Sequence, residues 1–382
     1  MYFCDSYNRM KYIIISILTL FLFSCNLTKK DTSLTYFGGQ IINPRTNFVL
    51  LLKNDIVIDT LTLKENNRFI AEYKTFSEGL YTFKHGNEFQ YIYLEPNDSI
   101  LVRLNTWDFD ESIVYTGRGS SKNEFLINLF LQNEKEEEEM FKYFNLNEVN
   151  FQFKIDSLAK EREHNYNAFS KNKENITEGF QKLTSTAIHY PLYRLKEIYP
   201  YYYKKVHKLE KFPTISDNFY QFRKDINLNE ANFLSFYPYR NYVVNYLFNL
   251  SYQQKEKDST KKDITINLLN AIVANIKLEE FKNILLKNIV VEDFLKSEST
   301  CSINKETLKI FLDNCTDETY ITQVKNLVND SEFVLNSEPL QDFKIGSYDT
   351  SELNIHDIIK DRNTVIYFWS TEYMSLEYLT KR

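Results

Sequence analysis

Four cysteines, at positions 4, 25, 301 and 315, are the side chains of this sequence best suited to covalent chemistry. A thiolate can attack a disulfide, coordinate a metal or carry a lipid, and each role requires its own sequence context. No two of the four stand in the Cys-x-x-Cys spacing of a redox or zinc site. The five histidines have no second histidine at i+3 or i+4 and no cysteine at ligand spacing, so the sequence predicts no metal site.

Cys301 and Cys315 flank a segment whose pattern predicts a helix, Lys305 to Asn314. Ten helical residues extend for about 15 Å, whereas a disulfide needs Cα atoms within roughly 7 Å of each other. The spacing therefore favours two buried thiols. An oxidising compartment would still permit a bridge between them if the helix were broken.

Cys25 stands at the end of an N-terminal pattern that is typical of secretion. Arg9 and Lys11 precede an almost wholly apolar run, Tyr12 to Phe23, and polar residues follow the cysteine. This run is too short for a spanning helix, which needs roughly 20 residues. We therefore predict that residues 1–24 are a cleaved signal peptide.

The residues before the predicted cleavage site, Leu22-Phe23-Ser24-Cys25, resemble the lipobox of bacterial lipoproteins. The resemblance implies that the Cys25 thiol receives diacylglycerol, that the chain is cut before it, and that the new amine is acylated. Several acyl chains on one residue anchor a protein firmly, because each buried methylene contributes roughly 0.8 kcal/mol. The alternative is an ordinary signal peptide with a cysteine there by chance.

The predicted anchor also indicates a location. Residues 25–32 would be a lipid-anchored polar tether, and membrane lipid, through acylated Cys25, would be the first partner of the protein. Asn26 occupies the position at which an aspartate signals inner-membrane retention in some bacteria. The sequence therefore favours the cell envelope, on the outer membrane facing the periplasm, over the inner membrane.

The sequence pattern of the rest of the chain predicts an α+β multidomain fold. Residues 33–117 contain short alternating strands, which indicate an N-terminal antiparallel β-sandwich or barrel. Residues 118–331 change to a helical period and predict an α-helical middle domain, with Gln253 to Lys262 as a loop. Residues 332–382 return to short strand and helix patterns, and Thr364 to Trp369 reads as a buried strand. Glu95-Pro96-Asn97-Asp98 predicts a type I turn.

Two stretches resemble the TlpA/ResA-type thioredoxin-like family of envelope lipoproteins. The strands from Gly38-Gly39-Gln40-Ile41 to Tyr91-Ile92-Tyr93-Leu94 resemble its N-terminal β-domain of unassigned function. Phe368-Trp369-Ser370-Thr371 resembles the strand end that precedes the Cys-x-x-Cys motif in these membrane-held disulfide reductases. The resemblance implies a partial thioredoxin-like β/α C-terminus and, taken alone, a thiol-disulfide oxidoreductase of the envelope.

The resemblance fails where the chemistry would begin. After Trp369, Tyr373 and Leu376 stand at the two cysteine positions. Disulfide exchange needs a thiolate, and neither a phenol nor a leucine can supply one. We therefore predict a redox-silent segment with no catalytic residue and no cofactor. Because only six residues follow Leu376, we also expect the sequence to be a fragment whose thioredoxin-like sheet is incomplete; the alternative is a tail packed on the helical domain.

Composition narrows the class of partner. A net charge of −6 with both signs mixed along the chain argues against nucleic acid, which requires a basic face. Tyrosines beside prolines could stack on a sugar or form a partner surface; these are Tyr199, Tyr201, Tyr237 and Tyr239. The alternative, that they fill the helical core, is favoured. The sequence as a whole predicts binding or scaffolding, with an unknown envelope protein or a glycan as the partner.

The predicted anchor can be tested by labelling. In bacteria fed radiolabelled palmitate, we expect wild type to incorporate the label and Cys25→Ala to lose it, because the thiol is the acceptor for the lipid. Cys315→Ala is the matched control and should label like wild type. Equal labelling of wild type and Cys25→Ala would remove the prediction.

Overall fold

The computed structural model describes residues 34–171, 176–258, 260, 263–296, 304–335, 340, 342–346, 351–360 and 363–365. Cys25 and the whole 1–32 segment lie outside these residues, as do Cys301, Trp369, Tyr373 and Leu376. Within them a β region precedes a helical region, which confirms the α+β order of the prediction.

Eight strands form the β region: β1 (Thr35–Ile42), β2 (Phe48–Lys53), β3 (Ile56–Thr62), β4 (Arg68–Tyr73), β5 (Gly79–His85), β6 (Glu88–Leu94), β7 (Ser99–Asn105) and β8 (Val114–Arg118). They make two four-stranded sheets, in the orders β4-β1-β7-β8 and β3-β2-β5-β6. Alternate residues of each strand face one shared core, which includes Phe37, Phe83 and Tyr115. The region is therefore a two-sheet sandwich.

Two details of this sandwich correct the sequence prediction. β1 and β7 pair in parallel, so the sheets are not wholly antiparallel; the long connection between these strands lets the chain return in the same direction. Asn97 has φ of +71° and the Asp98 N–H donates to the Glu95 carbonyl at 3.1 Å. This is the geometry of a type II turn, because asparagine tolerates the left-handed conformation at the third position.

Eight α-helices follow between residues 120 and 335 of the described chain: α1 (Ser120–Lys142), α2 (Glu148–Lys171), α3 (Glu178–Val206), α4 (Tyr237–Lys257), α5 (Ile264–Asn275), α6 (Glu279–Lys296), α7 (Lys305–Asn314) and α8 (Glu318–Leu335). Short 3-10 helices lie at Tyr143–Asn145, Asp217–Asp225 and Ala231–Phe233. The loop predicted to begin at Gln253 is wrong at its start, because α4 continues to Lys257.

The helix α3 is much longer than its apolar stripe predicted. It continues through Pro191 and Pro200, each of which removes one backbone donor. Packing offsets this loss, since Leu192, Leu195 and Tyr199 are all buried beside the prolines. Tyr199 stacks within 4.3 Å of the Phe151 ring of α2. Tertiary burial therefore carries the helix past residues that would end it in isolation.

The sandwich packs on the helices through a second apolar cluster, distinct from its own interior, that includes Leu80 and Tyr93. The Tyr93 ring of β6 lies 5.2 Å from the Phe180 ring of α3. The buried Asn123 side chain of α1 accepts from the Tyr93 N–H at 2.7 Å and donates to the Tyr93 carbonyl at 2.9 Å. Its amide therefore pairs with β6 as a neighbouring strand would, and this pairing fixes α1 to the sheet.

The C-terminal part of the described chain is small. β9 (Lys344–Gly346) pairs antiparallel with β10 (Glu352–Asn354), and a short helix, α9 (Ile355–Ile359), follows. Of the predicted strand Thr364 to Trp369 only the first two residues are described, and the Val365 side chain is exposed. Cys315 is a buried free thiol at the end of α7, as the length of that helix predicted.

The parallel pairing of β1 and β7 makes Gly39 irreplaceable. A Cβ at Gly39 would lie 2.0 Å from the Val102 carbonyl oxygen of β7, whereas a Cβ at Gly346 would meet no atom within 4 Å. We expect Gly39→Ala to lower the free energy of unfolding by about 3 kcal/mol, because the two strands must separate. Urea unfolding followed by far-UV circular dichroism measures this. Gly346→Ala is the control, and equal midpoints for the two variants would contradict the prediction.

Candidate functional site

A cleft of about 640 Å³ opens between the C-terminal halves of α3 and α4. A second recess of about 410 Å³ continues it and shares Tyr201, Phe212 and Tyr252 with it. We call the two recesses together the aromatic cleft. Its third wall is the segment 212–217, which connects α3 to the 3-10 helix Asp217–Asp225.

Three aromatic rings form the wall between the two recesses. The Tyr252 ring centroid lies 5.6 Å from that of Tyr201 and 5.6 Å from that of Phe212. Tyr201 remains 41% exposed, so one part of its ring is open to a ligand. The Lys204 ammonium lies 4.7 Å from the centre of the Phe212 ring. The wall can therefore offer apolar stacking surface with positive charge beside it.

The floor of the cleft is built on a buried carboxylate, Glu197 of α3. Arg223 donates from Nε to Oε1 at 2.9 Å and from Nη2 to Oε2. The Tyr242 hydroxyl donates to Oε1 at 3.2 Å, and Asn249 Nδ2 donates to Oε2 at 2.7 Å. Four donor contacts thus satisfy and neutralise a charge that would be costly to bury alone.

A second layer of contacts holds these donors in place. The Arg223 guanidinium lies 3.8 Å from the Tyr220 ring centre and 5.0 Å from that of Tyr246. Asn249 Nδ2 also donates to the Tyr220 hydroxyl at 3.1 Å, and Gln253 Nε2 donates to Asn249 Oδ1 at 3.2 Å. The cleft therefore has a rigid polar floor made from both helices and the 3-10 helix.

Burial sets the protonation states of the floor. It raises the pKa of Tyr220 to about 12, and it raises the pKa of Tyr242 well above its usual range, with the Glu197 charge adding to the effect. Burial alone would lower the pKa of Arg223, but the hydrogen bonds and charge of Glu197 leave it raised. Both phenols therefore stay neutral and the guanidinium stays charged at physiological pH.

The rim of the cleft is rich in lysine. Five lysines line the two recesses, three on the end of α3 or just after it and two at the end of α4: Lys204, Lys205, Lys208, Lys255 and Lys257. Three acids also line them, Glu197, Asp217 and Glu256. Because Arg223 neutralises Glu197, the open part of the cleft carries a net positive charge.

The four tyrosines singled out in the sequence separate into two pairs. Tyr199 and Tyr239 are buried, and each satisfies its hydroxyl inside the protein: Tyr199 donates to the Leu146 carbonyl at 3.0 Å and Tyr239 accepts from the Glu230 N–H at 2.9 Å. A surface role for these two is therefore wrong, and they belong to the core. Tyr201 lines the aromatic cleft, while Tyr237 is 62% exposed beside a different, small recess.

Sequence reasoning missed most of the cleft. Phe212 and Tyr252 were not singled out, because no local pattern brings the segment after α3 beside the end of α4. Helical spacing could have indicated part of the cleft. Glu197 and Tyr201 are four residues apart on α3, and Asn249 and Gln253 are four apart on α4, so each pair lies on one face of its helix. Each pair joins one floor residue to one residue nearer the rim.

The described ranges contain neither a cluster of metal ligands nor a membrane-spanning helix. No group of three or more histidine, cysteine, aspartate or glutamate side chains there could hold a metal ion. None of the helices in those ranges has both the length and the apolar character needed to cross a membrane.

Comparison with known proteins found no matching family model, no matching curated protein and no matching solved structure. The resemblance to TlpA/ResA-type proteins therefore stays a prediction, and the function has to be argued from the site.

The floor network predicts a large cost for removing the Glu197 charge. Glu197→Gln should leave the partly buried Arg223 without a counter-ion and lower the free energy of unfolding by about 3 kcal/mol. Asp313→Asn, which breaks an exposed ion pair with Lys309, should leave the unfolding midpoint nearly unchanged. Urea unfolding of both variants measures the difference. If both midpoints equal that of wild type, the network does not support the cleft.

Proposed function

We propose that this protein is a lipid-anchored protein of the bacterial cell envelope that binds a ligand in the aromatic cleft and does not catalyse a reaction. The observation that carries the binding role is the partly exposed Tyr201 ring, which lies against Tyr252 above a rigid polar floor. A cleft of 640 Å³ is within the size range of sites for small ligands.

The chemistry of the described residues supports binding over catalysis. Glu197, the acid on the cleft floor, is held by four donor contacts and is not available as a general base. Burial raises the pKa of the Cys315 thiol, which makes it a poor nucleophile at neutral pH. Tyr373 and Leu376 occupy the positions at which the resembled reductases carry their cysteines. A partial, redox-silent thioredoxin-like C-terminus is part of this proposal.

The anchor and the cleft fit one role. Acylated Cys25 would hold the chain to the membrane, and the sandwich would position the helical region that carries the cleft. Two ligand chemistries suit such a cleft, because exposed tyrosine faces pack on the apolar face of a sugar ring or on the side chains of a peptide.

Binding to glycan and peptide arrays tests the proposal. Tyr201→Ala should weaken binding of the captured ligand about fivefold or more, since stacking on an aromatic ring contributes about 1–3 kcal/mol. Tyr237→Ala is the matched control, because it removes an exposed tyrosine outside the cleft. Equal loss in both variants, or no loss in Tyr201→Ala, would contradict binding in the cleft.

An insulin-reduction assay distinguishes this proposal from a disulfide-reductase function. We expect the purified protein to show no turnover above background, because no thiolate stands at the reductase positions. Turnover equal to that of a thioredoxin control would overturn the non-catalytic part of the proposal.

A further inference from the structure

We infer that the ligand of the aromatic cleft is an acidic oligosaccharide, an inference that rests on the proposed binding function. The feature that carries it is the combination of unpaired lysines, stacking rings and a row of side-chain amides on the same cleft.

The charge of the cleft opposes the charge of the chain. The protein has a net charge of −6, yet the described residues that line the cleft include five lysines and two unneutralised acids, Asp217 and Glu256. A locally positive site on a negative protein selects anions, because it attracts them while the rest of the surface repels them.

Among the described residues, no acidic side chain forms an ion pair with a rim lysine. In the part of the chain that the structure describes, none of Lys204, Lys205, Lys208 and Lys255 forms an ion pair, although other lysines such as Lys122 and Lys282 do. Lys205 and Lys255 are exposed and stand on opposite helices. A carboxylate that enters the cleft can therefore pair with a lysine without breaking an existing ion pair.

The polar groups of the cleft suit hydroxyls. Asn245, Asn249 and Gln253 recur every fourth residue of α4 and therefore form a row of amides along one face. Ser216 and Thr214 add hydroxyls from the third wall. The Asn245 and Asn249 amide groups already donate to Asn241, Glu197 and Tyr220. The row can therefore offer the carbonyl oxygens of Asn245 and Gln253 as acceptors, and the exposed Thr214 hydroxyl can both donate and accept, as the hydroxyls of a sugar require.

The same geometry disfavours an acidic peptide. An extended peptide binds most simply by adding a strand to a sheet edge, where main-chain groups are free. The two long walls of the cleft are helices, α3 and α4, whose backbone groups bond within the helix. Side chains therefore make most of the contacts, and the rings of Tyr201 and Tyr252 favour the apolar C–H face of a sugar ring.

Calorimetric titration of the full chain in detergent tests this inference. The probes are trigalacturonate and a hyaluronan tetrasaccharide, each beside its neutral methyl ester, together with a hexaglutamate peptide. We expect at least one acidic sugar to bind, about tenfold or more tighter than its own methyl ester, because each lysine contact to a carboxylate is lost in the ester.

Charge variants assign the effect to the cleft. Lys205→Gln with Lys255→Gln should weaken binding of the acidic sugar about tenfold or more and leave the ester unchanged. Lys305→Gln with Lys309→Gln makes the same change of charge on the exposed surface of α7 and should leave both affinities unchanged. Unchanged circular dichroism spectra would show that neither pair of substitutions unfolds the protein.

Each other outcome has one meaning. Equal affinity for acid and ester overturns the acidic preference, while loss of that binding in Tyr201→Ala would preserve the cleft as a binding site. If hexaglutamate binds and neither acidic sugar does, the inferred oligosaccharide ligand is overturned in favour of an acidic peptide. Absence of saturable binding to both acidic sugars overturns the inference, and array capture that depends on Tyr201 would then still support the proposed function.

Discussion

The aromatic cleft depends on the burial of one charge, the Glu197 carboxylate. A buried carboxylate is tolerated only when donors surround it. Here the donors come from α4 and from the 3-10 helix Asp217–Asp225, so satisfying the charge fixes both elements against α3. Tyr201 follows Glu197 by one helical turn, and Tyr252 follows Asn249 by three residues. The network that neutralises the floor therefore also sets the distance between the rings of the wall.

The β-sandwich determines where this helical arrangement begins. Thr177 caps α3 by accepting from the Phe180 N–H, and its hydroxyl donates to Glu95 Oε1 at 2.9 Å. Glu95 belongs to the turn between β6 and β7, and it also contacts Lys122 of α1. Both α1 and α3 are thus attached at one turn of the sandwich. The sheet positions the start of α3, and the long rigid helix carries that position to the cleft at its other end.

Local pattern predicted the local structure and missed the non-local pairings. Alternation of apolar residues predicted the strands of the β region. The helical period of the apolar residues between Cys301 and Cys315 predicted α7. The parallel pairing of β1 with β7 could not be predicted from the sequence, because no local pattern indicates which strands become neighbours in a sheet. The pairing of Glu197 with Arg223 was hidden for the same reason, and Asn97 adopted the left-handed conformation that its residue type permits without requiring. With Pro191 and Pro200 inside it, α3 is longer than the sequence predicted, because helix propensity alone does not account for the stabilisation that tertiary burial gives to the helix.

The tyrosines show why composition alone could not locate the site. In a helix, residues two apart point to nearly opposite sides, so Tyr199 enters the core while Tyr201 faces the cleft. A buried tyrosine must satisfy its hydroxyl, and Tyr199, Tyr239 and Tyr242 each do so with a backbone or carboxylate group. Those rings are committed to the fold. The rings left for a ligand are the few whose apolar faces remain partly open, and on α3 this condition selects Tyr201 beside the lysines that would recognise an anion.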